Sequence, residues 1–402
     1  MAHLPREPTL KLRISPSSEL LKPINVPQKL LMGPGPSNIP PRVLAAGSLP
    51  VVGHLHPEFL KVMDDVKAGI QYAFQTKNEL TLAVSGTGHA GMEAATMNIV
   101  ERGDTILVAE SGLWGQRLAG LADRLGANVK VIKKPMGQVF SLLDIENGLK
   151  MYRPSVFFIT QGESSGTALQ PLQGVGDLCH RYNCLLLVDT VASMGGVPLL
   201  VDDWGIDVIY SGSQKVLGAP PGTAPISFSL RAREKMARRK TKVPSFYLDM
   251  AELGNYWGCD ENPRRYHHTG MINSVYALRE GLAMLAEEGL ENSWKRHKEC
   301  SKMLYAGLDK LGLKLLVTDP SVRLPTVTGV LVPVGVPWKE VAMYMMDKHK
   351  IEISGGLGAL AGKIWRIGLM GHNCRPYNVD KFLNAFKEAL QHCGMTIPSS
   401  KL

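Results

Sequence analysis

Between residues of about 80 and 230, six short apolar runs alternate with helix-like stretches, and this alternation limits the fold more than anything else in the chain. The runs are "TLAV" (81–84), "TILVA" (105–109), "VKVI" (129–132), "SVFFIT" (155–160), "LLLVD" (185–189) and "DVIY" (207–210). They are β-branched or Leu-rich, and mostly continuous rather than alternating in polarity, as strands covered on both faces must be. Helical stretches between them imply βαβ units, and so an α/β fold with a mainly parallel sheet flanked by helices. Val275, Leu278, Leu282 and Leu285 keep helical spacing until Gly289 interrupts them. Beyond it come a helical stretch to about Gly312, the strand-like "VTGVLVP" (327–333) and a helical tail. The expected organisation is an N-terminal arm over 1–27, a large domain over 28–288 and a smaller C-terminal α+β domain over 289–402. The arm is assigned from its Pro and Ser content and lack of periodicity.

Composition narrows the function by exclusion. The net charge of +9 raises a nucleic-acid reading, and its densest contribution is "RAREKMARRKTK" (231–242). No zinc-finger spacing, RNP-like strand or aromatic interleaving accompanies it, so a solvated helix face is the expectation. A positive field also suits small anionic substrates. No run of 18 apolar residues is present, which argues against a membrane span, and the N-terminus lacks a signal-peptide h-region. The six cysteines form no CxxC pair and no regular framework, which supports neither zinc nor disulfides and fits a reducing compartment.

"AVSGTGHAG" (83–91) places Gly86, Gly88 and Gly91 in GxGxxG spacing between a strand and a helix, with Glu110 ending the next strand. That is a dinucleotide fingerprint, and an NAD-dependent dehydrogenase is one reading. The underlying physics is broader: glycines let backbone N–H groups close on an anion at a helix N-terminus. The loop argues for a phosphate without naming the molecule.

In open parallel sheets, ligands bind beyond the carboxyl ends of the strands. Those ends carry Trp114 in "ESGLWGQR", Ser164 in "QGESSG", Asp189 in "VDTVAS", and Ser213, Gln214 and Lys215 in "SGSQK". Singly, Trp114 reads as core, Asp189 as a cap and Lys215 as a solvated lysine. Together they form a phosphate cup, an aromatic, a carboxylate and an amine on one edge. Nicotinamide chemistry has no need of the lysine–aspartate pair, whereas pyridoxal 5'-phosphate does. Its aldehyde requires a lysine amine, its phosphate an N–H cup, and its ring nitrogen a carboxylate that keeps it protonated. Lys215 is accordingly the candidate Schiff-base lysine.

The ordered series "LMGPGPSN" (31–38), "SGTGH", "LWGQR", "GESS", "LLLVD", "YSGSQK", "APPGT", "RYHHT" (265–269), "RLPTV" (323–327), "GGLG" (355–358) and "WRIGLMG" (365–371) spans nearly the whole chain. It resembles the alanine–glyoxylate / serine–pyruvate aminotransferases, in the class V branch of fold type I pyridoxal-phosphate enzymes. That resemblance implies a fold type I transferase that moves the amino group of L-alanine or L-serine to glyoxylate. It further implies that Lys215 carries the cofactor and moves the substrate α-proton, while Asp189 binds the ring nitrogen. Trp114 would stack on one ring face and Val191 lie against the other. Thr87, Gly88, His89 and Gln214 would hold the phosphate, with Ser164 beside the ring. Arg366 would grip the substrate carboxylate, a bidentate task that suits arginine. Tyr266 and Thr269 would reach the phosphate of a neighbouring subunit, so the active unit would be a homodimer.

Two departures bear on specificity. The chain reads "SSGT" (164–167) where the family reads SSTG. Gly53–His54 match the glycine that leaves room near the substrate, where relatives acting on 3-hydroxykynurenine carry Ser–Asn, so small substrates are expected and 3-hydroxykynurenine–glyoxylate transamination is the alternative. A cysteine desulfurase would need a mobile nucleophilic cysteine, for which Cys374 in "GHNCRPY" is the candidate. No nucleic-acid or membrane partner is expected. The terminal Ser400-Lys401-Leu402 is a peroxisomal address read by an import receptor. The competing mitochondrial signal is poor, since the first 16 residues hold Glu7 and three prolines.

Overall fold

The structure is a computed structural model that describes residues 13–397, so the terminal Ser400-Lys401-Leu402 and the first part of the arm lie outside the described residues. Among the described residues, seven strands form the main sheet. From one edge to the other they are Leu80–Ser85, Thr223–Phe228, Val208–Tyr210, Leu185–Asp189, Val156–Thr160, Thr105–Glu110 and Asn128–Lys133. All six strands anticipated from apolar runs are present. Val156–Thr160, Leu185–Asp189 and Val208–Tyr210 are buried throughout, which explains their unbroken apolar character.

Thr223–Phe228 was not anticipated, and it lies inside the sheet, antiparallel to both neighbours. Its sequence, TAPISF, reads poorly as a strand because Pro225 has no N–H to offer a ladder. The Pro225 carbonyl accepts from Ser211 N–H at 2.8 Å. In an antiparallel pair the N–H and C=O of one residue face the same neighbour. The missing donor therefore faces Ser211, just past the end of Val208–Tyr210, where the ladder is already finishing.

Of four buried apolar clusters among the described residues, the two largest are the cores of the fold. One gathers residues from Phe59 to Leu290 around the main sheet, and the other joins Met32 to residues from Cys300 to Leu390. Gly289 (φ 82°) separates the helices Ile272–Glu288 and Leu290–Lys310 that lead from one core to the other. The second core backs a small antiparallel sheet ordered Val327–Leu331, Ile364–Gly368, Ser354–Gly355. Residues 30–32, assigned above to the large domain, belong here instead. Leu30–Leu31 pairs in parallel with Ile351–Glu352, and Met32 is buried in the second core. Two residues are too few to show a period, so this pairing leaves no local signature. Residues 13–29 are exposed along their length.

The basic run behaves as a solvated face. Arg233 pairs with Glu79 (2.6 Å), Lys235 with Asp104 (3.0 Å) and Arg238 with Glu234 (3.0 Å). Among the described residues, no helix is long and apolar enough to cross a membrane, and no His, Cys, Asp and Glu side chains group as a metal site.

Candidate active site

The site forms where the carboxyl ends of the parallel strands meet the second core. Asp189 ends its strand buried, with both oxygens engaged: Val191 N–H donates to Oδ1 (2.8 Å) and Tyr210 O–H to Oδ2 (2.8 Å). Burial raises its carboxyl to about 6, while the Val191 and Tyr210 hydrogen bonds and the nearby Lys215 charge pull the other way. Tyr210 was not singled out from the sequence, although it sits one strand over in register with Asp189.

Lys215 follows the end of Val208–Tyr210 and donates its Nζ–H to the Pro34 carbonyl. Burial lowers its amine to about 8, helped by Arg366 and opposed by Asp189 and Glu352. The Gly33–Ser37 segment is shaped around it. Ser37 Oγ donates to the Lys215 carbonyl (2.7 Å), and Ser37 N–H to the Gln214 carbonyl (2.9 Å). Gly35 (φ 111°) lies so close that a Cβ there would overlap the Lys215 amine.

The glycine loop after Leu80–Ser85 leads into the helix Gly88–Ile99, with Thr87 at its N-cap and no side-chain capping bond. Its first amides thus remain for a ligand. Gly88 backs onto Val191: a Cβ there would stand 3.0 Å from Val191 Cγ2. The His89 ring lies edge-on to Trp114, with centroids 6.4 Å apart. Gln214 Oε1 is buried with no partner. The Trp114 indole donates from Nε1 to Ser164 Oγ (2.9 Å). Arg366, from the small sheet, donates Nε–H to the Gly355 carbonyl (2.8 Å) and one terminal N–H to the Ser164 carbonyl (3.2 Å). Its second terminal amino group stays uncommitted, and burial lowers its affinity for its proton. Gly53 N–H donates to His56 Nδ1 (3.1 Å), and a Cβ at Gly53 would stand 2.5 Å from His56 Nε2.

The structure thus gathers Lys215, Asp189, Trp114, Ser164, Val191, Gly88, His89 and Arg366 through shared contacts. Tyr266 and Thr269 take no part in that hydrogen-bonded network. Both are exposed, Tyr266 at 62 %, with its ring packed against His54 at 5.2 Å.

Residues 30–380 match the family model for class V aminotransferases. The chain belongs to the class V aminotransferase family. Among its relatives, the alanine–glyoxylate aminotransferase of Callithrix jacchus is 54 % identical, covering 98 % of this chain and 94 % of that one. The solved alanine–glyoxylate aminotransferase from Nostoc sp. superposes with a TM-score of 0.91 at 49 % identity, covering 94 % of this chain and all of that one. The ureidoglycine–glyoxylate aminotransferase of Bacillus subtilis reaches the same TM-score at 36 % identity, covering 94 % and 97 % of the two chains.

Within this class V aminotransferase the rival readings lose their residues. Glu110, the acid a dinucleotide ribose would need, pairs with Lys133 at 3.2 Å. Cys374, the desulfurase candidate, is fully buried, and contact with Cys300 together with burial pushes its thiol far upward. A thiol so placed is a packing group rather than a mobile nucleophile. Sequence reasoning missed Glu163, Ser165 and Glu352. Glu352 accepts from Gly33 N–H (2.8 Å) and Ser354 O–H (2.9 Å), which ties the 30–33 segment to the small sheet beside Lys215 and Arg366. The motifs "GESS" and "LMGPGPSN" were visible, but what their polar atoms hold is not written locally.

Proposed function

We propose that this aminotransferase carries pyridoxal 5'-phosphate and transfers the amino group of L-alanine, or L-serine, to glyoxylate, leaving pyruvate, or hydroxypyruvate, and glycine. The observation that carries the reading is the convergence of a half-buried amine (Lys215), a buried carboxylate (Asp189) and an arginine with an uncommitted amino group (Arg366) on one strand-end cleft. The donor set fits the cofactor. The uncapped N-terminus of Gly88–Ile99 suits a phosphate, and Trp114 and Val191 offer two apolar walls for a ring. When bound, the cofactor supplies an electron sink for the electrons released as the α-proton leaves.

The chain's own residues do the rest. Arg366 holds the substrate carboxylate with the N–H groups left free by Gly355 and Ser164. Lys215, held at about 8, has a neutral fraction near neutral pH, and that amine takes the α-proton and later returns it. Asp189 is ionised above about 6 and keeps a proton on the ring nitrogen, while Val191 and Tyr210 fix its orientation. Gly53 packs against the His56 ring, which fills the place a side chain at 53 would take.

The working unit in this reading is a homodimer. Tyr266 and Thr269 face outward from their own chain, and Ile14, Leu20, Leu21, Ile24 and Val26 of the arm are each more than 70 % exposed, apolar surface suited to a second copy. Ser400-Lys401-Leu402 would direct the chain to peroxisomes, and a fluorescent fusion carrying or lacking that tripeptide tests this by its location.

The function is tested by adding L-alanine to the yellow protein without a keto acid. Bleaching with one pyruvate per site, followed by return of colour with glyoxylate, is the expected result. A protein that takes up no pyridoxal phosphate refutes the cofactor reading. One that is yellow but answers only to 3-hydroxykynurenine moves the substrate to the alternative named above.

A further inference from the structure

Glu163 is 2 % exposed, and nothing in the chemistry above uses it. It lies on Gly162–Glu163, a two-residue strand hairpinned to Ala168–Leu169. Its carboxylate bonds the first turn of the helix Leu113–Arg124 and Ser165 in its own loop. Oε2 accepts from Trp114 N–H (3.3 Å). Oε1 accepts from Ser165 N–H (3.0 Å) and Ser165 Oγ–H (2.5 Å). The same Ser165 Oγ accepts from Leu113 N–H (2.9 Å). Two orphan amides of that helix are thereby satisfied, one directly and one through a hydroxyl, by a carboxyl group that burial raises to about 7 at the positive end of the helix dipole. Between these two residues, Ser164 receives the indole N–H on its hydroxyl and an Arg366 N–H on its carbonyl. Gly112 seals the arrangement, because a Cβ there would overlap the Glu163 carboxylate.

We propose that Glu163 is a positioning residue that fixes the first turn of the Leu113–Arg124 helix and so aims the Trp114 indole at the cofactor ring. The claim rests on the pyridoxal-phosphate reading given above. Capping a helix ordinarily takes only a serine or asparagine, and burying a carboxylate for that purpose is costly. What the carboxylate adds is two acceptor oxygens, which reach the Trp114 amide and Ser165 at once and leave the Trp114 backbone a single orientation. With the backbone held by Glu163 and the ring by Ser164, the indole is fixed at both ends. The Ser164 carbonyl extends the same mount to Arg366.

The test is a double-mutant cycle read through cofactor binding rather than turnover. Pyridoxal phosphate dissociation constants and the visible circular dichroism of the bound cofactor are measured for wild type, Glu163→Gln, Trp114→Ala and the double variant. Ser165→Ala provides a second route to the same contact should Glu163→Gln fold poorly. A glutamine offers N–H where Trp114 N–H needs an acceptor, so Glu163→Gln should weaken cofactor binding about tenfold, the scale of one buried hydrogen bond, and shrink the dichroic band. With Trp114→Ala already in place, the same change should alter affinity by less than about twofold, because the ring it positions is gone. Additive effects in the two backgrounds, or a wild-type band and affinity in both Glu163→Gln and Ser165→Ala, would overturn the proposal. If no variant, wild type included, takes up pyridoxal phosphate, the cofactor reading fails first and this inference falls with it.

Discussion

Acidification from pH 7 to pH 5 should reach the fold through His297. This imidazole is fully buried, and its two nitrogens have fixed roles. Nδ1–H donates to the Ser293 carbonyl (2.7 Å), while Nε2 accepts from Gly371 N–H (3.0 Å). A second proton on Nε2 would set two N–H groups head to head. Burial and the neighbouring Arg296 and Arg375 charges lower its pKa to about 4, against the pull of the Ser293 carbonyl and Glu288. The unfolded chain binds that proton near pH 6.5 and the folded chain only near 4, so the neutral ring's contribution is complete above 6.5 and is lost as pH falls towards 4. For those two values the loss between pH 7 and pH 5 is about 2 kcal/mol. Gly371 sits against the Val216 carbonyl, next in sequence to Lys215. Glu163 and Asp189, both raised by burial, act with the opposite sign, which makes the total slope uninformative. The comparison is therefore urea unfolding of wild type and His297→Gln at both pH values. The variant should be weaker at pH 7, and wild type should lose about 2 kcal/mol more than the variant on going to pH 5. Equal losses would refute the tautomer and burial argument.

Three further outcomes follow from the site. Without cofactor, Asp189 holds a charge that burial disfavours, a cost absent below 3.8 and complete above about 6; Asp189→Asn should thus raise cofactor-free stability at pH 8 by up to about 3 kcal/mol while cutting turnover about a hundredfold or more, and a variant no more stable than wild type contradicts the raised pKa. Gly35→Ala places a methyl group on the Lys215 amine, so turnover should drop about a hundredfold with an unchanged far-UV spectrum, and wild-type turnover would disprove the close approach. If Tyr266 serves the partner's site, Lys215→Ala and Tyr266→Ala subunits should be poor alone and regain activity after mixed refolding; no gain on mixing would place Tyr266 outside the site.

Much of this site could be read along the chain. Lys215, Asp189 and Trp114 follow strands whose apolar runs are unmistakable, and a parallel sheet brings such ends to one edge by its geometry alone. Arg366 was reached only through resemblance, since the Ile364–Gly368 strand that carries it belongs to the small sheet. Glu163 stood in plain view in "GESS", yet a carboxylate between glycine and serine reads as solvent-facing until the helix that covers it is in place. His267 and His268 show the same limit. In the fold, His268 Nε2 meets Ser85 Oγ (2.7 Å), the two Nδ1 atoms lie 2.8 Å apart, and His267 Nε2 meets the Phe246 carbonyl (3.1 Å). That carbonyl can only accept, so with both rings neutral the relay would run from Ser85 to Phe246 in one direction, and no sequence pattern carries that information.

By itself, then, the sequence determined the alternation of strand and helix, the parallel character of most of the sheet, the break at Gly289 and the edge on which chemistry gathers. All of these are local, because apolar period and turn chemistry act over a few residues. Only the tertiary structure decided that Pro225 lies inside the sheet and that Leu30–Leu31 pairs with Ile351–Glu352 across 320 residues of chain. It likewise decided that Glu163 is buried beneath Trp114 and that His297 is held neutral. Each of those outcomes depends on which distant donor or acceptor arrives at a polar atom, and no local pattern records that arrival.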